Sequence, residues 1–241
     1  MLRLVGHLSG STTGGACGNY VLRPKGRSEE PDVELTYWLM ENRIKELEGS
    51  RGVVLGANGG IYSVKRECFF PFETKESVAD DFILPIRVMA AGYKFVYESG
   101  AIAYGSSASY FDEFRRKARI GAQNFNGLKL MLPVLKPSAG FLSYALWSHK
   151  VLRWFTPHLL ILAFIINGVL AYHFKFFYFT MVIQLALYAM AVIGSIGLVF
   201  KRKIPLLSQF GYFASANVAL FVGFIKSICR AQGTKWEVSR S

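Results

Sequence analysis

A run of 25 residues without a charge, Phe176 to Phe200, constrains this chain more than any other feature. A bilayer core needs about 20 apolar residues in helical form. Two further apolar segments flank it, at about 156–172 and 205–225. Buried helices of a globular core are the competing reading, and 25 uncharged residues in sequence argue against it. The links are short: His173-Phe174-Lys175, then Lys201-Arg202-Lys203. The basic tripeptide predicts a cytoplasmic loop. If all three segments cross, the tail with Lys226, Arg230, Lys235 and Arg240 lies on the other side, against the same rule. Alternatively one segment lies in the interface. The first, which is shortest and opens with Pro157 and His158, is the natural choice, and the sequence leaves both arrangements open.

Charge separates the two halves. Residues 1–150 hold 19 Lys/Arg and 15 Asp/Glu, whereas residues 151–241 hold 9 Lys/Arg and the single acid Glu237. The net charge of +12 is therefore mainly a membrane signature, with basic residues flanking apolar spans. No basic stripe interleaved with aromatics marks the first half, so nucleic acid is not expected as a partner. Cys17, Cys68 and Cys229 form no CxxC pair, which suggests neither a zinc knuckle nor a disulfide framework. They fit a reducing compartment. The opening Met1-Leu2-Arg3-Leu4 lacks the apolar core of a signal peptide.

The first half alternates between the two hydrophobic periods. Leu4-Val5 reads as a short strand and Gly10–Gly18 as a loop. Tyr37, Met40, Ile44 and Leu47 recur at helical spacing over 34–48, with Gly49 as a stop. Val53-Val54-Leu55 and Ile61–Val64 read as strands around Gly56-Ala57-Asn58-Gly59-Gly60. A helix starting near Asp80-Asp81 places Pro85 in its first turn, where proline is tolerated. Phe82, Ile86, Met89 and Ala90 share its apolar face, and Gly92 closes it. Phe95–Tyr97 and Ala101–Tyr104 read as two strands. Ser109-x-x-Asp112 is a capping box for a helix running to about Met131, ended by Pro133 and Pro137.

Three clusters are candidates for chemistry. Asp80 and Asp81 open a helix, where the dipole favours negative charge. They are either a helix cap or a general base with an orienting neighbour. Arg116 and Arg119 share a helix face, either as a solvated basic surface or as a clamp on a leaving diphosphate. Gly56, Asn58, Gly59 and Gly60 form either a plain turn or a loop that lets backbone approach a ligand. No GxxxxGK, HExxH or GxSxG occurs, which disfavours P-loop, zinc-protease and α/β-hydrolase chemistry. The four histidines are scattered in sequence and predict no metal site.

Taken together, these residues resemble the second half of a membrane-bound family 2 glycosyltransferase of the processive-synthase type, a group that includes cellulose, hyaluronan and poly-N-acetylglucosamine synthases. Tyr37-Trp38, Glu41 and Ile44 resemble the family's helix before the acceptor site. Gly56 to Arg66 resembles its GxxGxxYxxRR acceptor-side strand. Val78-Ala79-Asp80-Asp81-Phe82, continuing through Arg87, Gly92-Tyr93 and Tyr97, resembles its ED segment. Arg116-Lys117-Ala118-Arg119-Ile120 aligns with QxxRW, with Arg116 in place of Gln and Ile120 in place of Trp. Ser148-His149-Lys150 to Arg153-Trp154 and Pro157 resembles the junction into the membrane helices.

The resemblance implies an α/β fold: a partial GT-A-type, Rossmann-like domain over 1–135, an interfacial junction over 136–155, membrane segments over 156–225 and a basic tail over 226–241. It implies an inverting transfer of a sugar from a nucleotide-sugar donor to a saccharide or lipid-linked acceptor, in polysaccharide synthesis at the cytoplasmic face. Asp81 is then the general base and Asp80 orients it. Arg116 and Arg119 bind the donor diphosphate, and Gly56, Asn58, Gly59 and Gly60 line the acceptor side. The family's metal-binding DxD does not occur in this sequence. The expectation is therefore that Mg2+ or Mn2+ serves the complete enzyme through ligands outside this chain. A separate or preceding N-terminal half would supply them, and this portion alone would be inactive. A non-catalytic membrane subunit or remnant is the alternative. A small transporter rests on the apolar segments alone.

Overall fold

In the computed structural model, residues 2–23, 33–69, 77–106, 109–200, 202 and 204–229 are described. The basic residues Lys201 and Lys203, and the tail from Arg230 onward, lie outside them. The chain is mostly helical, with a small three-stranded mixed sheet and three helices long and apolar enough to cross a membrane. It divides into two compact units. One comprises Met1–Ser107 and Gln123–His149, the other Ala108–Ala122 and Lys150–Cys229.

The first unit is built on β1 (Thr13–Arg23), β2 (Tyr62–Val64) and β3 (Lys94–Ser106) in the order β2-β1-β3. The pairing of β1 with β2 is antiparallel and with β3 parallel. The expected Gly10–Gly18 loop is thus mostly the central strand. Its glycines serve close packing, since a Cβ on Gly14 would meet Val88 Cγ1 at 2.6 Å and Tyr93 Cβ at 2.8 Å. The two expected strands at Phe95–Tyr97 and Ala101–Tyr104 are one strand with a bulge. Gly18 pairs with Glu98 while Asn19 pairs with Ile102. The Glu98 carboxylate accepts the Gly100 N–H at 2.9 Å, which stabilises the irregular step. Val53–Leu55 forms only an isolated bridge from Val53 to Phe95.

The expected strand at Leu4-Val5 is a short helix, α1 (Leu2–His7). Leu4 is fully buried with Ala16 and Ala101, whereas Leu2 and Val5 are exposed. One apolar anchor per turn is a helical signal too brief to distinguish from alternation. The longer helices fall where the period predicts: α2 (Val33–Gly49), α3 (Asp80–Ala90) and α4 (Tyr110–Met131). At the start of α4, Ser109 Oγ accepts the Asp112 N–H at 3.2 Å and bonds the Asp112 carboxylate at 2.5 Å. A short helix, α5 (Phe141–Ala145), and a π-helical stretch, Leu146–Val151, complete the junction region.

The second unit contains α6 (Leu152–His173), α7 (Lys175–Val199) and α8 (Pro205–Ile228), with residues 108–122. These match the three expected apolar segments. Polar side chains join α6 to α7: Asn167 meets Thr180 and Gln184 at 2.8 Å each, and Gln184 donates to Tyr188 Oη at 2.9 Å. Glycine lets α7 and α8 touch backbone to backbone, since a Cβ on Gly194 would lie 2.9 Å from Gly211 N. Gly223 of α8 packs in the same way on Ala118 and Ala122 of α4.

Candidate active site

A proline builds the site. Pro85 lies inside α3, a full turn beyond its start, and not in the first turn as the sequence suggests. It has no N–H to give to the carbonyl four residues back, which is that of Asp81. That carbonyl instead accepts the Ala57 N–H at 2.7 Å. The helix defect thereby fastens the glycine-rich loop to the start of α3.

Two glycines allow the approach. Gly56 has φ +90°, in the left-handed region, and a Cβ there would lie 3.0 Å from Phe82 Cδ2. A Cβ on Gly59 would lie 2.8 Å from Asp81 Oδ2. The Asp81 carboxylate therefore rests directly on the glycine-rich loop, the segment that resembles an acceptor-side strand. Gly59 and Gly60 are exposed, Asp80 is exposed and Asp81 is half-buried. Neither aspartate is the helix cap. Ala79 occupies that position and no side chain caps it, while both aspartates lie in the first turn.

Tyr62, on β2, completes this group. Burial pushes its phenol above the ordinary range, and the Asp80 and Asp81 carboxylates push it further. The hydroxyl stays neutral, so it can donate a hydrogen bond to an anionic neighbour or to a sugar oxygen.

Asn58 turns the other way. It is only 4% exposed. Its Oδ1 accepts from Lys45 Nζ and its Nδ2 donates to the Gly18 carbonyl, both at 2.5 Å. Lys45 belongs to a stripe of buried charge on α2 with Glu41 and Glu48. Glu48 accepts the Leu55 N–H at 3.1 Å and meets His149 Nδ1 at 2.7 Å. The other ring nitrogen of His149 lies 3.6 Å from Glu41, beyond hydrogen-bond length. Tyr37 donates to Glu41 at 2.9 Å. The expected apolar face of α2 is thus not the buried one: Met40 and Leu47 are 53% and 56% exposed. Sequence reasoning followed the apolar stripe. The missed signal is the spacing of 41, 45 and 48, which is equally helical.

Beside this network, burial pushes the Cys17 thiol up, which keeps it a neutral core side chain.

Arg116 and Arg119 lie in the second unit, on α4. Arg116 is held in a fork by Glu113, with Nε at 2.7 Å and Nη2 at 2.9 Å. Lys117 lies 3.5 Å from the same carboxylate and 3.7 Å from the Tyr212 ring centroid. Arg119 is half-buried, and Ile120 is 36% exposed. An anion at Arg116 would compete with Glu113.

Among the described residues, no three His, Cys, Asp or Glu gather. No protein-family model and no curated protein matches the chain.

Proposed function

We propose that the chain carries the acceptor side of an inverting glycosyltransferase of the family 2, GT-A type, working on a saccharide or lipid-linked acceptor beside a membrane. The observation that carries the reading is the Asp81 carboxylate resting on Gly59. Two motifs more than twenty residues apart in sequence, one resembling the ED segment and one the acceptor-side strand, meet at one point. Three apolar helices in the same chain support a membrane setting.

The chemistry assigns each group a task. Asp81 accepts the proton of an acceptor hydroxyl, and that oxygen attacks the anomeric carbon of the donor sugar. The bond to the nucleoside diphosphate breaks as the new glycosidic bond forms, inverting the carbon. Asp80 adds negative charge beside the base. The neutral Tyr62 hydroxyl donates to the acceptor or to Asp81. By resemblance, Arg119 balances charge on the departing diphosphate. By resemblance, a divalent ion held by ligands outside these residues would relieve charge at that diphosphate.

The test is a panel of nucleotide sugars offered to the protein in native membranes, with release of nucleoside diphosphate and the anomeric configuration of the product as readouts. Release with one donor and an inverted product is expected, and Arg119→Ala should raise the donor KM about ten-fold or more. A retained configuration, or no release with any donor from membranes that also hold the DxD-bearing donor half, contradicts the reading.

A further inference from the structure

The first unit has a concavity that contains none of the residues given a chemical role above. It is a cleft of about 410 Å3 with Arg51 and Lys94 at its rim and Met89, Val134 and Leu142 on its floor. Among the described residues, no acidic side chain lines it. Both cationic side chains are exposed, whereas Met89, Val134 and Leu142 are buried. Two residues give the cations their places. A Cβ on Gly52 would lie 2.7 Å from Lys94 Cγ, so the lysine stem lies along bare backbone. The Arg51 guanidinium stands 4.7 Å from the centroid of the Phe141 ring.

The wall containing Leu142 continues into a membrane-type helix. Phe141–His173 is an unbroken helical run of 33 residues. Leu142, Ala145 and Leu146, in its first turns, are buried. Phe141, Tyr144 and Trp147 point outward, at 38%, 67% and 44% exposure. Trp147 Nε1 is anchored on the Leu135 carbonyl at 3.0 Å. Outward aromatics three residues apart, just before a span, are what the headgroup level of a bilayer selects.

We propose that this cleft holds one anionic phospholipid of the bilayer, its phosphate between Arg51 and Lys94 and its upper acyl chain on Met89, Val134 and Leu142. Paired cations over an apolar floor match an amphiphile with a negative head. A soluble anion would leave that floor wet. The proposal does not depend on glycosyl transfer, and its test reads no activity.

The test uses the full chain in nanodiscs of phosphatidylcholine containing phosphatidylglycerol, followed by mild detergent exchange and native mass spectrometry of retained lipid. One phosphatidylglycerol per chain is expected on the wild type. Each cation near an anionic headgroup is worth roughly five-fold in affinity, so Arg51→Ser with Lys94→Ser should weaken retention about 25-fold. Arg43→Ser, an exposed cation on α2, should leave it unchanged. A photoactivatable phosphatidylglycerol should label the 133–142 peptide of the wild type, a readout that needs no variant to fold. Equal retention by the double variant, equal retention of phosphatidylcholine, displacement by millimolar inorganic phosphate, or labelling elsewhere would each overturn the proposal.

Discussion

Helices α2 and α3 belong to the same unit and bury opposite chemistry. In α3, Phe82, Ile83, Leu84, Ile86, Val88 and Met89 are inside and the acids occupy its exposed start. In α2, Glu41, Lys45 and Glu48 are inside while Leu39, Met40 and Leu47 face out. The periodicity of both sequences predicts a helix, and both helices form. Which face is buried is a different question. It is answered by whether inward polar groups find partners, because a satisfied buried network is stable and an unsatisfied one is not. Glu48 finds Leu55 N–H and His149, and Lys45 finds Asn58, from distant parts of the chain.

The comparison can be broken in several places. Glu48→Ala should cost the most, about 3–5 kcal/mol, because it leaves the buried Leu55 N–H and the His149 ring without their shared carboxylate partner. Ile83→Ala, on the corresponding face of α3, should cost about 2–5 kcal/mol through the cavity it leaves. Urea denaturation of the detergent-solubilised chain, followed by tryptophan fluorescence, measures both. A Glu48→Ala cost below about 1 kcal/mol would mean that the α2 face is hydrated and not a true core. Gly56→Ala should lose about 1–3 kcal/mol from strain at φ +90°. Met40→Gln and Leu47→Gln should change stability by no more than about 0.5 kcal/mol.

The smallest effect is electrostatic and concerns an acid with partial exposure. The His7 ring bonds Glu98 at 2.6 Å and holds its carboxyl below the ordinary value of 4.5; the Gly100 N–H and the charges of His7 and Arg3 act in the same direction. A depressed carboxyl contributes stability above its unfolded value and loses it as pH falls through the folded one. His7→Ala should therefore lower stability slightly near pH 7 and flatten the acid limb, the two curves converging as pH falls below about 4.5. An unchanged acid limb would show that the pair contributes nothing.

Much of this architecture is legible in residue order. The three apolar helices and the α4 capping box at Ser109 and Asp112 follow from period, cap chemistry and length; α3 starts at Asp80 as expected, although Pro85, which suggested that start, lies beyond the first turn. The misreadings share a cause: each depends on a partner far away in sequence. Gly14 looks like loop chemistry until Val88 and Tyr93 are seen packed on it. Ser99-Gly100 looks like a turn between strands and is a bulge within one. The candidate site divides in the same way. The Asp80-Asp81 pair and the glycine loop are visible as motifs. Their meeting is not, because it depends on a carbonyl freed by Pro85 and taken up by Ala57. Asn58 appears in sequence to face a ligand, and the structure commits its amide to Lys45 and Gly18.

The most direct test of this account compares two isosteric substitutions one residue apart, Asp81→Asn and Asp80→Asn, in membranes that also hold the donor-binding half. Turnover of the identified nucleotide sugar is followed, with folding checked by circular dichroism. Asp81 rests on Gly59 and Asp80 does not. Asp81→Asn should lower turnover about 10²- to 10⁴-fold with the fold intact, and Asp80→Asn by no more than about ten-fold. Equal effects, or near-normal turnover in Asp81→Asn, would contradict the assignment of the base.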